Sequence, residues 1–497
     1  MVSENRNEEP SRGPLLTGNW IGLFGLVLAG FGLFSALSLI SIDFLRGFKQ
    51  PYLGILTYLI LPGFIWVGLI LAAIGAWIEY KKRHKREVSR FPIIDLNKPS
   101  QKRKLLVILI GCFFFFLLSA LGSYQAYLAT ESVGFCGTLC HTVMEPQYTT
   151  YQNSPHARVG CTECHIGSGA SWFVRSKVSG MYQIYAVLTN SFDRPIPVPV
   201  ENLRPARGTC EQCHWPEKFF GAVDFFQQYF LLDEENTPWA IRMLLKVGGA
   251  NPAHGPVGGI HWHMVIANRI EYLPANRSRQ EIPWVRMTNL ETGNTTLFQS
   301  KGNSLTPGGN DQQVRVLDCI DCHNRPTHIF ASPETGINNA LWLGRIDSSI
   351  PSIREKAGTA LLENADSASL AQGMAGIAQS ISKEYADYAD QQKIGDAISQ
   401  AQDIYRKNFF PDMKTSWKVR PNNVGHRIWP GCFRCHDGNH VSKSGNTIST
   451  DCDTCHLIVA QGRETQQNVR LTGIKFEHPG GPIPPQTLCN TCHTGAP

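Results

Sequence analysis

Between residues 131 and 497, two cysteines two residues apart are followed at once by histidine six times. The sites are Cys161/Cys164/His165, Cys210/Cys213/His214, Cys319/Cys322/His323, Cys432/Cys435/His436, Cys452/Cys455/His456 and Cys489/Cys492/His493. Random placement at this composition would give on the order of 0.01 such motifs. Thiols at this spacing reach the two vinyl groups on one edge of a porphyrin, and the next side chain then lies beneath the iron. The pattern is that of covalent c-type haem attachment. Zinc would explain the Cys-x-x-Cys pairs but not a histidine directly after every second cysteine. A seventh cluster, Cys136-Gly-Thr-Leu-Cys140-His141, has three intervening residues. Alone it would also fit a local disulfide. Its place, shortly after an apolar stretch, argues for a haem at a membrane surface. Together the clusters take fourteen of the fifteen cysteines, which excludes an ordinary disulfide framework. They are numbered one to seven in chain order, and seven covalently bound haem c groups are expected.

The sixteen histidines extend the count. Seven belong to the clusters, and His84 lies in a basic loop. Eight remain: His156, His254, His261, His263, His328, His426, His440 and His478. Seven irons offer at most seven distal positions, so the near-match of totals implies mostly bis-histidine, six-coordinate haems built for electron transfer. Reach excludes some pairings. His440 follows His436 by four residues, a span of at most about 14 Å when extended. That is too short to round a porphyrin edge, so His440 should serve a neighbouring iron, most simply that of Cys452/Cys455. By the same reasoning His328 serves an iron other than that of His323. His261 and His263 flank Trp262. In a strand both would point to one face, so either they bind adjacent haems or only one of them binds.

These groups must be positioned by the rest of the chain. Three uncharged stretches, 20–42, 52–78 and 105–130, each exceed the ~20 residues that span a bilayer core. Ten Lys/Arg against Glu87 and Asp95 lie in 81–104, while the whole chain carries only +6. Positive loops stay in the cytoplasm, so the N-terminus is expected inside and everything after Glu131 outside. A near-neutral remainder excludes a nucleic-acid-binding composition. Residues 255–300 alternate apolar and polar and read as a small β insertion. Residues 366–408 read as helical, with Leu370, Met374, Ile377, Ile381, Tyr385 and Tyr388 recurring at steps of four and three. The fold class expected is three transmembrane α-helices plus a loop-rich, mainly α multihaem domain with a small β insertion. The divisions expected are a membrane anchor (1–130), a tetrahaem domain (131–330), a helical connector (331–425) and a C-terminal trihaem segment (426–497).

A helix delivering Cys136-x-x-x-Cys140-His141-x-x-Met144, then Ser154-Pro155-His156 and Cys161-x-x-Cys164-His165, resembles the NapC/NirT family of membrane-anchored quinol dehydrogenases. The resemblance covers roughly 105–330. Two helices before the anchor and three motifs after the fourth make the expanded plan similar to ImcH-type heptahaem inner-membrane cytochromes of metal-respiring bacteria. The resemblance implies membrane quinol as substrate and a quinol-facing lysine in Arg175-Ser-Lys177. It also makes Met144 a competitor of His141 as axial ligand of the first haem. The family's acidic side chain over that haem has no counterpart between Cys164 and Phe192. Protons of the quinol could pass to Glu131, Glu145 or His156 near the interface.

The function expected is a quinol:cytochrome c oxidoreductase. It would oxidise quinol near the first haem and pass electrons through seven haems to a periplasmic c-type cytochrome, as in anaerobic or extracellular respiration. The setting is the bacterial inner membrane, with the haem domain periplasmic, the lipid bilayer as partner and room for a homo-oligomer. Two alternatives stand beside it. One is a periplasmic terminal reductase with a five-coordinate haem. The other is an electron relay for a separate quinol-oxidising subunit.

Overall fold

The computed structural model describes residues 19–46, 60–84, 97–100, scattered positions from 102 to 125, and then 127–138, 141–167, 170–200, 205–215, 218–248, 258–265, 267–303, 314–463, 468–484 and 487–497. The chain divides into two compact units. The first comprises residues 1–132 and 166–182, the second residues 133–165 and 183–497.

Two long apolar helices dominate the first unit, α1 (Trp20–Arg46) and α2 (Leu61–His84). Each is long and apolar enough to cross a membrane, over Trp20–Leu39 and Leu61–Lys82. They pack through small residues. A Cβ on Gly25 would meet Ala72 N at 2.5 Å, and one on Gly68 would meet Ala29 N at 2.5 Å. Close backbone approach of this kind is how helices associate where lipid removes the hydrophobic driving force. The second helix begins later than the uncharged stretch suggested. Residues 52–59 and most of 105–130 lie outside the described residues, so two of the three expected spans are seen.

The second unit begins with α3 (Val133–Thr138), α4 (His141–Gln152) and α5 (Cys161–His165). Next come α6 (Ala170–Leu188), which continues from the first unit, and α7 (Arg207–Cys210). Eight strands follow: β1 (Val223–Phe230), β2 (Pro238–Leu245), β3 (Asn268–Leu273), β4 (Trp284–Asn289), β5 (Thr295–Ser300), β6 (Arg315–Val316), β7 (His440–Ser442) and β8 (His456–Gly462). They form an antiparallel sheet β1-β2-β8 and a five-stranded sheet β6-β3-β4-β5-β7. The β structure is thus larger than the insertion expected over 255–300. It starts at Val223 and recruits β7 and β8 from the C-terminal segment. Residues 260–264 are not a strand but a 3₁₀ turn.

The helical region is more than a connector, because it holds the largest apolar core. The elements are α8 (Cys319–Cys322), α9 (Pro333–Trp342), α10 (Ile353–Glu363), α11 (Leu370–Glu384), α12 (Gln391–Asn408) and, near the end, α13 (Cys489–Cys492). Ser332, Ser369 and Asp390 each cap a helix by accepting from the backbone N–H three residues on, as N-cap side chains do. Ile337, Ile353, Leu361, Ile377 and Phe409 are fully buried between α9 and α12. Such side chains contribute about 1.5–3 kcal/mol each on burial. The C-terminal segment closes this core, with Trp417 Nε1 donating to Thr494 O at 3.1 Å and Pro497 lying against Gly358. The last motifs are therefore built into the fold and are not a separable module. Leu361→Ala should lower the stability of the haem-loaded protein by about 2–5 kcal/mol, read from thermal melting of its helical circular dichroism.

Candidate haem-binding site

Each regular motif folds into one short turn. His214, His323, His436 and His493 each donate the backbone N–H to the carbonyl of their motif's first cysteine, at 2.8, 2.8, 3.1 and 2.9 Å. That bond sets the histidine against the two thiols. Motif four is held furthest into the fold. Asp318 caps α8 at Cys319 N, and Asp321 reaches back to Asp318 N at 2.8 Å. Buried Asp321 also accepts from Tyr272 Oη at 2.7 Å and Arg279 Nη1 at 3.3 Å. The motif cysteines from Cys161 to Cys492 carry no disulfide. Among the described residues no three His, Cys, Asp or Glu converge as a zinc site would need.

The distal histidines find partners far along the chain. Six motif histidines each face one other histidine, with ring centroids 5.8 to 6.4 Å apart. The pairs are His165 with His328, His214 with His156, His323 with His261, His436 with His263, His456 with His426, and His493 with His478. Two imidazole–metal bonds of about 2 Å each, plus the two ring radii, put the centroids about 6 Å apart. The interplanar angles run from 10° to 83°, as ligands free to rotate about their metal bonds allow.

Hydrogen bonds select the tautomer. Through Nδ1, His328 donates to Gln147 O, His156 to Pro326 O, His261 to Val247 O, His263 to Ile260 O and His436 to Ser449 O, at 2.7 to 3.1 Å. A neutral ring that donates through Nδ1 leaves Nε2 bare, the form that binds a metal. Burial also holds the rings neutral, pushing His328 down to about 4 and lowering His263. The residues fit haem in a further respect. Arg354 Nε and Nη1 and Arg420 Nε are buried without partners among the described residues. Such donors suit anionic propionates. Arg354 and Arg427 converge on Glu334, whose Oε1 lies 3.9 Å from His493 Nδ1.

The motifs follow one another in space in chain order. Cys161 is pulled down to about 7 by a hydrogen bond with Cys136, and Cys210 to about 7 by one with Cys319. Electrostatic contact also reaches from Cys164 to Cys210, Cys435 to Cys322, Cys455 to Cys432 and Cys489 to Cys452. Ala206 N donates to Asp318 Oδ2 at 3.0 Å and so ties motifs three and four.

Four expectations need revision. Cys213 is not enclosed with its partner thiol as a complete attachment site would have it. Cys210 is half-buried, but Cys213 is exposed. The reason is local: α7 ends at Cys210, and a turn closed by Cys213 N donating to Cys210 O at 3.1 Å carries Cys213 to the surface, within electrostatic reach of Cys164. His440 does not face motif six. It is buried, with Nδ1 2.8 Å from Asp437 Oδ1 and Nε2 2.6 Å from Ile282 O. Both nitrogens donate, so neither is left for iron. His261 and His263 do not share a face, because residues two apart on a 3₁₀ turn point about 120° apart. The acidic residue missing from the sequence pattern after Cys164 is supplied from upstream. In the first unit Glu131 Oε1 lies 2.6 Å from Lys177 Nζ, which also donates to Thr130 Oγ1 at 3.3 Å. A charged residue ending the third apolar stretch was the available signal. Arg175 is exposed, 5.7 Å from the centre of the Trp172 ring. Glu145 is exposed and Met144 half-buried, both on α4 of the second unit. Cys140, His254 and the side chain of His141 lie outside the described residues.

The model of the NapC/NirT cytochrome c family, N-terminal region, matches residues 98–198. Over 488 residues the chain is 39% identical to the cytochrome c-type protein ImcH of Geobacter sulfurreducens, covering 96% of this chain and 95% of that protein. It is 32% identical to the cytochrome c-type protein NrfH of Wolinella succinogenes over 78 residues, 15% of this chain and 44% of that one. No solved structure matches.

Burial opposes charge on His440, but Asp437 and the Ile282 carbonyl overcome it and raise its pKa. Its contribution to stability is complete below the unfolded value of about 6.5 and is lost as pH rises through the folded value. The margin in melting temperature of the native chain over His440→Gln should therefore shrink between pH 6 and pH 9.

Proposed function

The chain belongs to the NapC/NirT cytochrome c family, the family of ImcH, and on that premise we propose that it oxidises membrane quinol and delivers the electrons to a periplasmic c-type cytochrome. It is a membrane-anchored multihaem c-type cytochrome of electron transport, and such proteins hold haem covalently. The finer reading rests above all on the six histidine pairs at 5.8 to 6.4 Å. Haem, when bound, supplies a one-electron iron couple at each site. In this reading Cys136/Cys140 and the six regular cysteine pairs hold seven haems. Cys213 belongs among them, because an exposed thiol is open to a vinyl group. The motif histidines are proximal ligands, and His328, His156, His261, His263, His426 and His478 are distal ligands to motifs two to seven in that order. Motif one takes His141, with Met144 as the competing ligand. The pairing of every regular motif histidine with a second imidazole favours electron transfer over a terminal reductase, which needs an open iron position.

Residues 1–130 form the anchor in this reading, the N-terminus is cytoplasmic and the haem domain periplasmic. Motifs one to four and five to seven are successive groups along the path. Quinol oxidation releases two protons for two electrons, so a proton acceptor must stand at the bilayer edge. Glu131 supplies a carboxylate there, and Lys177 holds it at 2.6 Å. The pair has the donor and acceptor needed to bind a quinol hydroxyl and take its proton. Arg175 lies on the same helix and offers a headgroup or quinol contact. The relay-only reading lost its main support when Glu131 took the place of the missing acid.

The intact mass should show seven haem additions, and six would remove motif one from the site. In proteoliposomes with no added subunit, quinol should reduce the haems. Failure there, with full reduction by dithionite, would leave the chain a relay for another subunit. Glu131→Gln and Lys177→Met should each slow quinol-dependent reduction by roughly 10²-fold, with the dithionite-reduced spectrum unchanged.

A further inference from the structure

Two of the histidine pairs share one turn. The 3₁₀ turn Ile260–Met264 carries His261, facing His323 of motif four at 6.4 Å, and His263, facing His436 of motif five at 5.8 Å. The two motifs are 113 residues apart, 323 against 436, whereas the two distal rings are separated by Trp262 alone. We propose that Ile260–Met264 is a two-iron clamp in which His261 and His263 ligate the haems of motifs four and five, and that Trp262 is the positioning residue that sets their mutual geometry. The proposal rests on the bis-histidine reading above and extends it to the place where the two groups of motifs meet.

Several observations converge on this turn. Trp262 packs against the cluster of Ile270, Tyr272, Ile282 and Val285, which Cys435 of motif five also joins. The ring therefore anchors the turn to the five-stranded sheet while its neighbours diverge. Each distal ring is fixed separately, through Nδ1 to Val247 O at 2.7 Å and to Ile260 O at 2.8 Å. The entry to the turn requires Gly259. Its φ is +109°, and a Cβ there would lie 2.5 Å from Lys246 O, the carbonyl that accepts from Ile260 N. The motifs themselves interlock. Arg434, inside motif five, donates from Nη2 to Asp321 O, inside motif four, at 2.7 Å, and from Nη1 to Arg279 O at 3.0 Å. Asn423 donates to the same Asp321 carbonyl at 3.0 Å.

Two residues span at most about 7 Å of extended chain. Ligands carried that close on one turn hold two irons at a separation that neither motif could set alone. A shift of the turn therefore moves both ligand sets together. That joint response distinguishes a clamp from two independent sites.

The test uses the full-length, haem-loaded protein in nanodiscs, titrated stepwise with dithionite and followed by electron paramagnetic resonance and optical spectra. His261→Gly and His263→Gly should each convert one haem to high spin, a different one in each, and the double variant should convert two. Added imidazole should restore low spin. Trp262→Ala should shift the low-spin signals and potentials of two haems together and leave the others in place, and Trp262→Phe should restore the native signals. If both glycine variants strike the same haem, or neither produces a high-spin signal, the clamp is wrong. If Trp262→Ala moves one haem, none, or all, Trp262 is not the positioning residue. Dithionite bypasses the quinol site, so these outcomes do not depend on quinol oxidation. A haem count below the number of motifs would instead sink the underlying reading.

Discussion

Two imidazoles can share one iron only if their rings stand about 6 Å apart on opposite faces of a porphyrin, and six pairs in this chain meet that demand. The requirement is severe because the partners are remote. His165 and His328 are separated by more than 160 residues, and His263 and His436 by more than 170. A chain with so many cofactor sites has little room for an apolar core around them. The helices from α9 to α12 provide one to the side, and the two sheets extend from it. Each distal ring is carried on a loop or turn braced by a backbone carbonyl, so that its position depends on scaffold more than on its neighbours in sequence.

This division explains what could be read in advance. A c-type motif is local: two thiols and an imidazole within five residues state their chemistry without a fold. The number of candidate distal histidines was also legible, because it is a count. The pairings were not, because they are tertiary. The exposure of Cys213 was hidden for the same reason, since spacing says nothing of what surrounds a thiol. Reach removed His436 as a partner for His440 but could not reveal that Asp437 and Ile282 would occupy both of its nitrogens. The alternation around Trp262 resembles a strand, and only the backbone shows the 3₁₀ turn that sends the two rings apart. The periodicity of Leu370 to Tyr388 described a helix correctly in kind. It could not distinguish a connecting helix from a core one, since both are amphipathic. The strands β1 and β2 were missed because Val223–Phe230 alternates poorly, with Phe225 next to Phe226 and Gln227 next to Gln228.

The neighbouring motifs are tied by backbone and carboxylate contacts that a spacing rule cannot show. Asp318 caps its own motif and accepts from Ala206 beside the preceding one. Arg434 fills the second spacer position of motif five and reaches the main chain of motif four. The residues between the cysteines are thus not neutral filler. In motifs four and five they hold the row of sites together.

One strand has a bearing on how the molecule is made. β8 begins at His456, the last residue of its motif, and pairs at once with Leu245 on β2. No stretch of chain lies between the attachment site and the sheet. Pairing over more than 200 residues of sequence is intrinsically slow, and once made it engages the motif's own backbone. The enzymes that join porphyrin to thiol need that backbone extended and open. Maturation is therefore ordered: the sixth cofactor is loaded before the three-stranded sheet can close, and sheet closure records that loading is complete.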